Sequence, residues 1–134
     1  MRTAQTFRTF PGMALLSRGF RPFFLGAGVF ALTAIAIWPA VFSGTLQLPT
    51  AFSAIDWHAH EMLFGYGSAV IAGFLLTAIP NWTGRLPVAG AALGGLALLW
   101  LLGRCAVLVS GSIGWAVAAA IDVAVRGVFT AVGA

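Results

Sequence analysis

Four long apolar runs, separated by short polar stretches, organise the chain. They cover residues 23–42, about 62–79, 88 to about 109, and about 113–132. A helix needs about 20 apolar residues to cross about 30 Å of hydrocarbon, and the runs are of that order. The pattern predicts an all-α, multi-pass transmembrane helical bundle with about four helices, the fourth containing Asp122 and Arg126. Residues 1–22, mixed and carrying four Arg, are predicted as an amino-terminal segment outside the membrane, and residues 23–134 as the transmembrane region. Residues 43–57 hold Gly44, Pro49 and several Ser and Thr, which predicts a loop with at most a short interfacial turn. Pro80 is predicted to stop the second helix, because a helix interior tolerates proline poorly, with Asn81, Trp82, Thr83, Gly84 and Arg85 forming a turn.

Composition sharpens the class. The 134 residues are 60% hydrophobic and only 7% charged, too little polar surface to cover a water-soluble core of this size. The formal net charge of +4 comes from seven Arg against Asp56, Glu61 and Asp122, with no Lys. The Arg residues neither cluster on a polar helix nor alternate with exposed aromatics, so a nucleic-acid surface is excluded as the reading. Cys105 is the only cysteine, so no disulfide can form within the chain. The first run is too long for a secretory signal, whose apolar region is about 7 to 15 residues.

If the runs alternate across the membrane, Arg2, Arg8, Arg18, Arg21 and Arg85 share one side, and the loop opposite has no basic residue. The amino terminus is therefore predicted to be cytoplasmic. Trp38, Trp57 and Trp115 are predicted to line the outer interface and Trp82 the inner one, as interfacial aromatics do.

The densest set of ligand atoms lies at the outer mouth of the second helix, in Asp56, Trp57, His58, Ala59, His60, Glu61 and Met62. Each helical residue turns about 100°, so His58 and His60 point roughly 160° apart and suit two sites better than one. On a helix Asp56 pairs with His60 and His58 with Met62, each four apart, and His58 with Glu61, three apart. A carboxylate beside an imidazole fixes its tautomer. Imidazole suits copper, iron and zinc, and a thioether favours Cu(I). The competing reading treats the same residues as polar groups finishing a helix, with Asp56 as N-cap and Glu61 favoured by the helix dipole.

Other polar residues within apolar runs need partners. A charge at a helix centre costs about 2.5 to 3.5 kcal/mol on insertion scales, so Arg104 and Asp122 are paired, functional or, for Arg104 near the outer end, snorkelling. Asp122 and Arg126 are four apart with the acid first, the favourable order for an intrahelical pair. Cys105 is either a soft metal ligand or a small buried hydrophobe. Gly65, Gly67 and Gly73 in the second helix, and Gly90 with Gly94 in the third, read as helix contacts. Asn81-Trp82-Thr83 matches a glycosylation sequon on the predicted cytoplasmic side and is set aside.

Three blocks carry a resemblance. Ser17-Arg18-Gly19-Phe20-Arg21-Pro22-Phe23-Phe24-Leu25, then Trp57-His58-Ala59-His60-Glu61-Met62-Leu63-Phe64-Gly65, then Gly73-Phe74-Leu75-Leu76-Thr77-Ala78-Ile79-Pro80-Asn81-Trp82-Thr83-Gly84-Arg85 are similar in order and spacing to the signature blocks of the NnrS family. Leu99-Trp100-Leu101-Leu102-Gly103-Arg104 resembles the next block. The resemblance covers about residues 16–122. It implies a bacterial inner-membrane protein containing haem and copper, tied to denitrification and protection against nitric oxide. Family members are longer, so it also implies that this is an amino-terminal portion, with self-association or further carboxy-terminal helices completing it. The family carries over no ligand assignment; from their own chemistry His58 and His60 are read as the metal or haem ligands, one for each group, with Asp56, Glu61 and Met62 in support and Arg104 as a partner for a haem propionate. Neither a reaction nor a substrate follows, so whether the protein is an enzyme stays open. The alternatives are a transporter or channel subunit using Arg104 and Asp122 along a polar path, or an inactive truncated membrane protein.

Overall fold

The computed structural model describes residues 12–133. Four long helices dominate: α1 (Phe20–Phe42), α2 (Ala54–Thr83), α3 (Ala91–Leu108) and α4 (Trp115–Gly133). A 3-10 turn (Ala14–Ser17) precedes α1, and a one-turn helix (Ser110–Ile113) joins α3 to α4. All four long helices are long and apolar enough to cross a membrane. The chain is therefore an all-α, multi-pass membrane protein. Leu25, Leu32, Ile35, Phe74, Leu98 and Val123 point outward, where lipid chains take the place of water.

The core lies between the helices. Phe23, Ala27, Ala69, Leu76, Leu93, Leu96 and Trp100 form its main cluster, and Ala34, Trp57 and Val107 a second one nearer the 43–53 loop. Within a bilayer, helices associate through close packing, and small residues set the distance. A Cβ on Gly73 would stand 2.9 Å from the Phe24 ring, so α1 and α2 meet at a glycine there. Gly19, just before α1, lies so close to Leu76 that an added Cβ would fall 2.5 Å from the leucine's own Cβ.

Helix α2 is longer than the pattern predicted at both ends. It begins at Ala54 because Ser53 caps it: the Ser53 hydroxyl accepts from the Asp56 N–H at 3.2 Å and donates to the Asp56 carboxylate at 2.6 Å. Asp56 is thus the third residue of the helix and not its cap. At the other end α2 passes through Pro80 to Thr83. A proline this near the end forfeits one backbone bond and leaves little helix beyond to kink; Gly84, at φ 68°, supplies the left-handed cap that ends it. Helix α1 likewise starts ahead of Pro22, since first-turn residues have no intrahelical acceptor for their N–H.

Two corrections concern Gly90 and Trp57. Gly90 has φ 65° and donates its N–H to the Leu16 carbonyl at 2.8 Å, so it is a corner before α3 rather than half of a helix-contact pair. Gly94 faces Leu16. Trp57 is buried against Ala34 and Val107 instead of lying at the interface, because the early start of α2 turns it inward. Trp115 and Trp82 are exposed.

The 43–53 loop is tied to the end of α3. The Gly111 N–H donates to the Pro49 carbonyl at 3.0 Å, and the Ala51 N–H to the Ser110 hydroxyl at 2.9 Å. Arg18, Arg21 and Arg85 lie at the opposite end of the bundle. Arg2 and Arg8, which the orientation argument also counts, lie outside the described residues.

Candidate functional site

Midway along α2 the helix widens into a π segment over Glu61–Gly67. Such segments insert an extra residue into the turn and re-aim the side chains around them. Here the Gly65 carbonyl, which also accepts from the Ser68 hydroxyl at 3.2 Å, takes the Trp100 indole N–H of α3 at 3.0 Å. Trp100→Phe removes that donor and is expected to cost about 1 kcal/mol, read as a lower unfolding midpoint in detergent. A wild-type midpoint would show that the bond does not hold the two helices.

Glu61 opens the π segment and is fully buried. Its Oε1 accepts from Arg104 Nη1 at 2.6 Å and lies 3.0 Å from His60 Nδ1. Arg104, on α3, also donates through Nη2 to Asp122 Oδ1 on α4. Asp122 Oδ2 accepts from Arg126 Nη2 and lies 3.2 Å from His60 Nε2. Glu61, Arg104, Asp122 and His60 therefore close into a ring that joins α2, α3 and α4. Arg126 extends it and lays its guanidinium 4.4 Å from the centre of the Phe64 ring. Each carboxylate faces a guanidinium, Glu61 that of Arg104 and Asp122 those of Arg104 and Arg126, which is how such charges are held among apolar helices. The ring sits about 10 Å inside the 43–53 end of α2, counting 1.5 Å per residue from Ala54.

The two histidines part company. His60 has both ring nitrogens on carboxylate oxygens and its ring between Phe52 and Phe64. Neither nitrogen is left for a metal. His58 stacks on Trp38 of α1, with ring centres 4.0 Å apart and planes 21° from parallel. Its Nδ1 is buried and has no hydrogen-bond partner among the described residues.

The remaining expected ligands are dispersed. Asp56 is exposed and bonded to Ser53, not to His60. Met62 packs against the Ala34, Trp57 and Val107 cluster. Cys105 faces outward, not inward as a buried hydrophobe would. Arg104 neither snorkels nor keeps a free terminal nitrogen; it is 5% exposed, with Nη1 and Nη2 on carboxylates and Nε buried without a partner among the described residues. Among the described residues, no group of three or more His, Cys, Asp or Glu is arranged to hold a metal ion.

Sequence reasoning found the Asp122–Arg126 pair and missed the ring. Glu61 and Arg104 are 43 residues apart, which no helical spacing relates. The available signal was charge counting: a guanidinium inside an apolar run needs a buried acid, and the sequence offers few. No match to the chain occurs among curated proteins or among solved structures. The family model described as NnrS protein matches residues 14–134, so the chain belongs to the NnrS family and is a membrane protein related to the nitric oxide response.

Proposed function

We propose that the protein binds haem in the membrane through the His58 imidazole and acts through it in the nitric oxide response, while His60 belongs to the charge ring. The observation that carries this reading is the uncommitted ring of His58. A buried ring nitrogen without a partner costs about 1 to 3 kcal/mol, and such atoms in native proteins ask for an explanation. Stacking on Trp38 fixes the plane of the imidazole, so a ligand bond there needs little further ordering. Histidine is a common axial ligand of haem iron. The group would supply a redox-active iron; the chain's own part is to hold one imidazole in a set orientation within an apolar wall.

Copper has no comparable support, since Met62 packs against the Ala34, Trp57 and Val107 cluster and Cys105 faces outward. The transporter reading is also weaker, because Glu61 and Asp122 are each bonded to more than one partner in a closed ring. The arginine distribution and the family resemblance favour a bacterial inner membrane with the amino terminus cytoplasmic.

Absorption spectra with haem quantification test the assignment on protein purified from membranes. His58→Ala is expected to lose the haem band while keeping a helical circular dichroism spectrum. His60→Gln is expected to retain haem in whatever fraction folds. Full haem occupancy in His58→Ala, or a loss confined to well-folded His60→Gln, would reverse the assignment.

A further inference from the structure

At the end of the bundle opposite the charge ring, a crevice of about 250 Å³ opens between the turn before α1 and the end of α2. Arg18, Thr77, Asn81, Gly84 and Arg85 are among its lining residues. On the outer, membrane-facing side a second hollow of about 390 Å³ runs along α1 and α2, lined by Phe20, Phe24, Gly73, Phe74 and Trp82. Thr77 and Asn81 border both, so the basic crevice and the apolar groove adjoin.

We propose that this pair of hollows is a binding site for an anionic phospholipid, with the headgroup phosphate on Arg18 and Arg85 and an acyl chain in the groove beside Phe24 and Phe74. Charge complementarity carries the assignment. The sequence contains three acids, and Asp56, Glu61 and Asp122 all lie toward the 43–53 end of the bundle. No side-chain carboxylate is therefore at hand for Arg18 or Arg85, and both side chains are exposed. Arg21, by contrast, is committed: its Nη1 donates to the Ala14 carbonyl at 2.6 Å and lies 2.9 Å from the Ser17 hydroxyl.

A guanidinium pair suits phosphate oxygens, and basic pockets between membrane helices take anionic headgroups. The carboxyl end of α2 presents about half a negative charge to the crevice, which two full positive charges outweigh. The adjoining apolar groove selects an amphiphile over a soluble anion, because its wall gains by burying an acyl chain. Trp82, exposed at the rim of the groove, suits the headgroup level.

The test uses delipidated full-length protein in phosphatidylcholine nanodiscs with and without phosphatidylglycerol. Wild type is expected to show a higher thermal midpoint with phosphatidylglycerol, and to retain that lipid over phosphatidylcholine in native mass spectrometry. Arg18→Gln/Arg85→Gln is expected to lose both effects, and Arg21→Gln to keep them. Inorganic phosphate added to the phosphatidylcholine discs is expected to reproduce neither. Equal retention of the two lipids by wild type overturns the proposal without reference to any variant. So does an undiminished midpoint shift in the double variant, an equal loss in Arg21→Gln, which would mean unspecific surface attraction, or full replacement by phosphate, which would mean a soluble-anion site.

Discussion

Arg104→Met is expected to lower the unfolding free energy of the protein by about 3 to 5 kcal/mol, because it leaves Glu61 and Asp122 buried with their shared cation gone. Methionine fills much of the arginine's volume, so lost packing contributes little and the cost is electrostatic. The same logic predicts recovery: adding Glu61→Gln to Arg104→Met removes the acid left without a guanidinium, while Asp122 keeps Arg126, and is expected to regain part of the loss. Reversible unfolding in mixed detergent micelles reads both. A double variant less stable than Arg104→Met alone would mean that Glu61 is stabilised by something other than the ring.

Gly65→Val is expected to cost about 1 to 3 kcal/mol through overpacking at the point where the ring meets the π segment. A Cβ at this position would stand 2.9 Å from the Phe30 ring, 3.2 Å from Arg104 Cδ and 3.2 Å from Glu61 Oε2. Three groups on three helices would have to move, and two of them, Arg104 and Glu61, belong to the ring. Gly67→Ala two residues on is the matched control. The nearest atom to its added Cβ is the Met62 carbonyl oxygen at 3.5 Å, an ordinary contact, so a near-neutral result is expected. Equal losses at both positions would point to the backbone freedom of glycine, not to side-chain crowding.

The apolar runs made the four helices legible because a bilayer demands length and hydrophobicity and little else. The ends were less legible. Ser53 set the start of α2 through one hydroxyl, and Pro80 proved compatible with a final turn already closed by Gly84. Of the site, the divergence of His58 and His60 followed from the helical turn angle alone, and the two rings do face different helices, His58 toward α1 and His60 toward α4. Their different commitments did not follow. They depend on where α4 delivers Asp122, a contact made 62 residues along the chain from His60 and visible only once the helices are packed.

The ring as a single structural unit is the claim on which the account of His60, Glu61 and Arg104 depends. A double-mutant cycle between Arg104→Met and Asp122→Asn measures it most directly. A coupling of about 1 to 3 kcal/mol is expected, with the second substitution costing much less in the background of the first. Losses that add within about 0.5 kcal/mol would show the two residues to be independent and would contradict it.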